Sequence, residues 1–571
     1  MRIMFSFVQR LNRSPRCVGI VLALLMLAQL VAGALASRRL SPAVDEPIHI
    51  QAGLTMLAHG RYVDPAAWWT VPDPLPPPVD MLYALLARAA GIAPDFRHSP
   101  FVEFDHVRAA RWLNHLTAPA LTLLAFVWGR ALWGAAGGLL AALLLALQPI
   151  FLAHASIAST DLIGAAGGLL AAWAIWRVWI DAGWAAAGWR RITPGAMLTG
   201  GAMVLAVACK QSNLALLPAA ALAPAAALAR VPCGQRLSMC GRCAAAGFAC
   251  CLVTLAGCAL LYGWLDLYEG LPLVLFGREV WLPFGHEFAA VIAYTMRSAG
   301  QTGQAVYFNG WIETPSVKHF AAALVYKTPI PLALLLVAGG AAALREGLRS
   351  CRSGTVYLVA VGGALALYFS TRGYYLGLRH LMLPLALASV FAGGLLAGQH
   401  STPRSGRAEG ARLVLTGVLV LWSGAIVVRH WPWHLSYVNP LARGRLVLVD
   451  SDFDWGQGLK ALADWQKRHA PDEAIWLSYF GNARPEDFGV RYRGMVSPFG
   501  PGVAPDPDGE RAAEPGAVEG WVAISATQLA GRYMWEAGRT PDYYAAWRGL
   551  EPEFRLAGGA ILVFRVPASG G

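Results

Sequence analysis

VGIVLALLMLAQLVAGALAS, residues 18–37, decides the fold. An uncharged run of this length matches what an α-helix needs to cross the hydrocarbon of a bilayer. Further apolar runs recur up to about residue 428. The whole chain of 571 residues is 56% hydrophobic and only 14% charged, a balance too apolar for a soluble domain. Beyond that point the composition turns soluble, with Asp, Glu, Arg, Trp and Pro mixed among short apolar stretches. The expected architecture is a polytopic α-helical membrane domain over residues 1–430, followed by a soluble α/β domain over residues 431–571.

Eleven spans are expected, at 17–36, 113–133, 135–152, 161–180, 194–209, 212–229, 244–264, 328–344, 355–370, 380–398 and 412–428. With the N-terminus inside, Arg190, Arg191, Arg230, Arg236, Arg242, Arg345, Arg349, Arg352, Arg404, Arg407 and Arg412 all fall at cytoplasmic loops, as positive charge near spans requires. An odd number of spans then puts the C-terminal domain outside, in a bacterial cell the periplasmic side of the plasma (inner) membrane. Arg2, Arg10, Arg13 and Arg16 before the first run, with Ala34-Leu35-Ala36 at its end, have the pattern of a signal peptide. The run is long for a cleaved segment and is read as an anchor. The outside pieces are a first loop of about 37–112, a second of about 265–327, and the C-terminal domain.

None of the nine cysteines lies in those outside pieces, so no disulfide framework is implied. Cys240-Gly-Arg-Cys243, with Cys233 nearby, has zinc-ligand spacing but lacks a second pair. No nucleotide fingerprint and no nucleic-acid signature is present. Few charges lie deep in the spans and no internal repeat stands out, unlike the usual transporter pattern.

The polar material gathers instead on the expected outside face. SPAVDEPIHIQAG, residues 41–53, sets Asp45 and Glu46 just after the first span. HASIASTDLIG, residues 154–164, sets Asp161 at the outside end of the fourth, where it either caps the helix or lines a cleft with the first pair. Five cations break the charge rule: Lys210, Arg278, Lys327, Arg372 and Arg379. Each alone could snorkel to headgroups. Together they suggest a site for an anionic headgroup or lipid-linked phosphate. Residues 316–326 are expected as an interfacial helix, and Trp68 and Trp69 as interfacial anchors.

These stretches, taken in order with Pro76-Pro77-Pro78, Lys327-Thr328-Pro329, Arg379-His380 and the YVNPLARGRLVLVDSDFDWGQG run after the last span, resemble the GT-C class of lipid-carrier-dependent glycosyltransferases. The nearest branch is glycosyltransferase family 39, the protein O-mannosyltransferase and aminoarabinose-transferase-like enzymes. The resemblance implies a polyprenyl-phosphate sugar donor and a protein, glycolipid or glycan acceptor. It puts the catalytic base at Asp45, with Glu46 beside it and the second acidic position at Asp161. Pro76-Pro77-Pro78-Val79 departs from the family's His-Pro-Pro-Leu. Without that His no metal ligand is assigned, and a divalent metal stays open. The chemistry agrees: phosphate leaves as a stable anion, so the site needs a base for the acceptor and cations for the growing charge. Single displacement inverts the anomeric carbon, and a retaining route with a second carboxylate as nucleophile stays open. A flippase of lipid-linked sugars and a non-catalytic receptor are the rival readings.

In the C-terminal domain, strands are expected at 445–449, 474–479, 521–525 and 560–566, with helices at 458–468 and from Thr527. Asp450, Asp452 and Asp454 lack the Gly and Glu of an EF-hand. They are read as a capping loop, or as an acceptor contact at a strand end.

Overall fold

The computed structural model describes residues 14–59, 77–91, 104–264, 273–275, 277–301, 306–308, 311–313, 318–350, 353–371, 377–397, 406–497, 512–531 and 542–567. Trp68, Trp69, Pro76 and Arg372 lie outside them. Helix α1 (Pro15–Ser37) starts where the Ser14 side chain accepts a hydrogen bond from the Cys17 amide and Pro15 opens the first turn. It packs Val18 and Leu22 against Phe126, Leu139 and Ala142 and leaves Leu24 and Leu27 exposed, as a lipid-facing side would be.

Short helices α2 (Asp45–His59), α3 (Pro77–Ala89) and α4 (Phe104–Ala110) follow, then α5 (Trp112–Ala146), α6 (Pro149–Ala155), α7 (Thr160–Ile175) and α8 (Trp189–Cys209). Among the described residues ten helices are long and apolar enough to cross a membrane. The eleven expected spans all map onto helices, because α5 holds two of them. It breaks at Gly134, with φ 81° and ψ −179°. A Cβ added at Gly129 would sit 2.9 Å from the Ala141 Cβ, and one added at Gly138 would sit 2.8 Å from the Arg130 nitrogen and the Phe126 oxygen. Positions eight to twelve apart in a continuous helix lie about 12–18 Å apart. The chain therefore doubles back at Gly134 into a hairpin whose halves meet backbone to backbone, which small residues permit.

The expected second loop carries two short hairpins, β1 (Leu273–Leu275) with β2 (Arg278–Val280) and β3 (Val306–Phe308) with β4 (Trp311–Glu313). Between them lies the helix His286–Gln301. The helix Lys318–Lys327 follows, burying His319, Phe320, Ala323 and Lys327.

The soluble part forms one five-stranded mixed sheet of β5 (Ile475–Ser478), β6 (Tyr492–Gly494), β7 (Gly520–Ser525), β8 (Phe554–Leu556) and β9 (Ile561–Val566), in the order β6-β5-β7-β9-β8. β5 runs parallel to β6 and β7, and β9 antiparallel to β7 and β8. Alternation along β7 sends Trp521 and Ala523 toward the helix Leu459–His469, and Val522 and Ile524 toward Tyr544 and Trp547. The strand expected at 445–449 is absent. That stretch joins no sheet, and Val447 and Leu448 are buried in the core of the membrane helices instead. Its apolar residues serve the junction, not the sheet.

That junction is where the chain gathers its charges. The Ser41 amide donates to the Gln457 carbonyl at 3.2 Å and the Val44 amide to the Trp455 carbonyl at 3.0 Å. The Ser41 hydroxyl donates to the Gly456 carbonyl at 2.8 Å and accepts from the Leu459 amide at 2.9 Å. The linker after α1 and the residues before the sheet are thus laced together.

If the Gly134 hairpin is as close as this, Gly138→Leu should lower the melting temperature of the detergent-solubilised protein, by overpacking worth about 1–3 kcal/mol. Gly201→Ala, whose added Cβ meets nothing within 4 Å, should leave it unchanged or slightly higher.

Candidate active site

Asp45 and Glu46 are neighbours in sequence, and α2 turns their side chains to different tasks. Glu46 is fully buried. Its Oε1 accepts from Arg111 Nε at 2.7 Å and from the Ala158 amide at 2.6 Å. Its Oε2 accepts from Arg111 Nη2 at 2.6 Å and from the Ala43 amide at 2.7 Å. Arg111, also fully buried, donates in addition to the carbonyls of Ser37, Leu40 and Ser41. Every oxygen of Glu46 is committed, so it holds five pieces of chain in register and presents no lone pair to an acceptor.

Asp45 faces the other way. Its Oδ2 accepts from Arg379 Nη1 at 2.8 Å, and the side chain keeps 29% of its surface exposed. Arg379 lies 3.7 Å from Asp161 Oδ2, and Asp161 Oδ1 accepts from Lys210 Nζ. Asp161 sits in the first turn of α7, yet its carboxylate is spent on cations and not on a helix cap. Lys210 fits because residue 164 is Gly: a Cβ there would come within 2.6 Å of the lysine's own Cβ. The result is a row of alternating charges, Asp45, Arg379, Asp161, Lys210. Of the middle members Asp161 is buried and Arg379 is nearly so, and the two ends, Asp45 and Lys210, are more open. A row that is neutral overall can sit at a membrane edge. An incoming anion would still find two cations there.

Two buried residues frame the row. The Trp455 ring, from the segment before the sheet, lies 4.5 Å from the Arg379 guanidinium carbon, a contact that favours a desolvated cation. His154 stands 3.8 Å from Asp161 Oδ2 and hydrogen-bonds Ser159 Oγ through Nδ1 at 2.7 Å. Burial pushes its pKa down to about 4, more than Asp161 raises it. It is therefore a neutral hydrogen-bonding group at ordinary pH.

Of the eight residues selected from sequence, the structure brings together Asp45, Asp161, Lys210 and Arg379. Glu46 is turned away into its buried pair. Lys327 is buried as well and donates to the backbone carbonyls of Leu435 and Asp452. Burial, only partly offset by Asp452, lowers its pKa to about 8. It ties the helix Lys318–Lys327 to the soluble part and has no free face for a phosphate. Arg278 is exposed on β2, and no ion pair or hydrogen bond among the described residues joins it to the row. Arg372 lies outside the described residues. Asp452, read as part of a capping loop, instead accepts the Leu378 amide at 2.7 Å, next to Arg379, with His319 Nε2 3.6 Å from its other oxygen. Among the described residues no group of three or more His, Cys, Asp or Glu side chains is arranged to hold a metal ion. Sequence reasoning missed Arg111, Trp455, and a buried His49–Asp80 pair. Arg111 carried a usable signal: it is one more cation at the edge of a span, on the side expected to lie outside.

No protein-family model matches the chain, and no curated protein matches it. Solved structures do. The chain is similar to ArnT from Cupriavidus metallidurans in the apo state, at 15% identity and a TM-score of 0.47 over 96% of this chain and 98% of that one. It is likewise similar to the same protein bound to undecaprenyl phosphate, at 15% identity and a TM-score of 0.48 over 95% and 97%. The Archaeoglobus fulgidus oligosaccharyltransferase AglB, in complex with an inhibitory peptide and a dolichol-phosphate, matches at 12% identity and a TM-score of 0.41 over 88% of this chain and 69% of that one. The likeness is one of overall fold.

The Glu46–Arg111 pair makes a clear prediction. Arg111→Met keeps the bulk and leaves the Glu46 carboxylate buried without its cation, which should destabilise the protein by about 3–5 kcal/mol. A melting curve of the purified variant should show a large downward shift, or the variant should fail to accumulate in membranes.

Proposed function

We propose that this protein is an integral-membrane glycosyltransferase that moves a sugar from a polyprenyl-phosphate donor to an acceptor outside the cytoplasm. The observation that carries this reading is the row Asp45–Arg379–Asp161–Lys210, seated where the membrane helices meet the soluble domain and open at both ends. Its chemistry suits transfer to a nucleophile. Donor phosphate would take Arg379 and Lys210 as its partners, by bidentate and point-charge contacts. Arg379 would then exchange Asp45 for phosphate, releasing that carboxylate to accept the acceptor's proton. The acceptor atom bonds to the anomeric carbon as the carbon–oxygen bond to phosphate breaks, and the electron pair leaves on phosphate. Asp161 stays between the cations and fixes their spacing. One displacement inverts the anomeric carbon.

The arginine pattern supports a cytoplasmic N-terminus and an extracytoplasmic C-terminal domain, in a bacterial cell at the inner membrane. In this reading residues 431–571 face the acceptor, which is a protein, glycolipid or cell-wall glycan. A flippase would need the same phosphate-binding cations but no base, so Asp45 separates the two.

The test is transfer from a labelled polyprenyl-phosphate sugar pool in membranes, with wild type and Asp45→Asn at matched expression. Transfer should fall by about 10²–10⁴-fold in the variant while the lipid phosphate still binds. Unchanged transfer would remove Asp45 from the mechanism, and no transfer by wild type from any such donor would favour the flippase.

A further inference from the structure

The acceptor's proton cannot stay on Asp45. Each transfer releases one proton, and when the spent phosphate departs Arg379 regains its pull on a carboxylate, not on a carboxylic acid. One helical turn along α2, on the face that carries Asp45, stands His49. Its Nδ1 is 2.8 Å from Asp80 Oδ1, and the two side chains are 4% and 0% exposed.

The pair is built with unusual closeness. Asp80 opens α3, and α3 approaches α2 at Gly53, one further turn from His49. A Cβ at Gly53 would lie 2.0 Å from the Asp80 carbonyl oxygen, so only glycine lets the helices meet there. Tyr83, one turn on from Asp80, places its ring centroid 6.0 Å from that of His49. Its hydroxyl bonds Asn114 Oδ1 at 2.6 Å and the Ser159 carbonyl at 2.9 Å, which fixes α3 to the turn that leads into Asp161. The pair nevertheless leaves polar groups unspent. Asp80 Oδ2 is buried with no hydrogen-bond partner among the described residues, and the one hydrogen bond His49 makes there is through Nδ1. A buried carboxylate that orients an imidazole and keeps one oxygen unpaired is costly as architecture. As a proton acceptor it has the required form: the carboxylate sets the tautomer and stabilises the imidazolium.

We propose that His49, oriented by Asp80, is the proton outlet of the transfer reaction, which rests on the function proposed above. The acceptor's O–H or N–H bond breaks as its heavy atom bonds to the anomeric carbon, and the proton passes to Asp45. From Asp45 it moves to His49 Nε2, giving an imidazolium paired with Asp80, and from there to solvent. Asp45 is returned as the carboxylate that Arg379 holds between turnovers. His49 is a relay residue and Asp80 a positioning residue; neither touches the sugar.

The charges around the pair fit this direction of flow. On α2 stand Asp45 and Glu46, the latter neutralised by Arg111. On α3 are Asp80 and Tyr83, on α4 His106 and Arg108, and on α7 Asp161. Burial opposes the imidazolium, but Asp80, and then Asp45 and Asp161, outweigh it, so the His49 pKa is raised above that of an ordinary histidine. Asp80's own pKa is raised, chiefly by burial. The two titrate as a coupled pair.

The experiment is the pH profile of transfer by the purified full-length protein, using a synthetic polyprenyl-phosphate sugar as donor. Wild-type kcat should fall on the acid side as the pair becomes protonated. Removing the carboxylate lowers the basicity of His49, so Asp80→Asn should shift that acid limb about one to three pH units lower. It should also reduce the plateau rate about 10–100-fold, with KM for the donor unchanged. His49→Gln, which keeps a donor toward Asp80, should lose at least about tenfold in kcat while binding polyprenyl phosphate as wild type does; it decides the matter should Asp80→Asn not fold. An acid limb that stays in place in Asp80→Asn, or wild-type kcat in His49→Gln, would overturn the relay while leaving the transferase standing. Absence of transfer by wild type from every polyprenyl-phosphate sugar would overturn both.

Discussion

The buried pair of Glu46 and Arg111 is the constraint on which the rest of the arrangement depends. Two full charges in the interior cost several kcal/mol each to desolvate, and an apolar pair of the same bulk is often the more stable choice. What the apolar pair could not do is specify register. Through the carbonyls of Ser37, Leu40 and Ser41 and the amides of Ala43 and Ala158, this one pair fixes the end of α1, the linker, the start of α2 and the turn before α7. Asp45 is the next residue to one end of that tie and Asp161 stands three residues beyond the other. Their separation across the Arg379 guanidinium is therefore set by bonds that take no part in chemistry.

The soluble part completes the same construction. Asp452 accepts the amide beside Arg379, Trp455 covers its guanidinium, and Lys327 holds the backbone of that segment from below. The residues from Asp450 to Gln457 belong to the site as much as to the sheet they lead into. A soluble domain that only recruited an acceptor would have no need to reach the charged row. Here it fixes the orientation of the central cation, so changes in this segment would be felt at Arg379.

The spans were legible in the sequence because hydropathy over twenty residues is a strong signal, and even the tight hairpin at Gly134 fell on an expected boundary. Asp45, Asp161, Lys210 and Arg379 stood out for a related reason: a charge at the edge of a span contrasts with its surroundings. What lay hidden is what depends on partners far apart in the chain. Glu46 reads as a twin of Asp45 until Arg111, 65 positions away, claims both its oxygens. Lys327 carries the same local signal as Lys210, yet tertiary packing buried it against backbone carbonyls. The stretch 445–449 has the pattern of a buried strand, and Val447 and Leu448 are indeed buried, but among membrane helices, and pattern alone cannot tell which neighbour does the burying. His49 and Asp80 are unremarkable apart; their significance comes from the close approach that Gly53 allows.

The central claim is that the alternating row is a seat for a lipid-linked phosphate with Arg379 at its centre. The most direct measurement is an equilibrium titration of the purified full-length protein with a polyprenyl phosphate lacking sugar, comparing wild type, Arg379→Gln and Arg278→Gln. The account predicts saturable binding by wild type, about 10–100-fold weaker binding for Arg379→Gln, as loss of a charge-assisted hydrogen bond implies, and wild-type affinity for the exposed-site variant Arg278→Gln. Equal affinity of Arg379→Gln and wild type would contradict it.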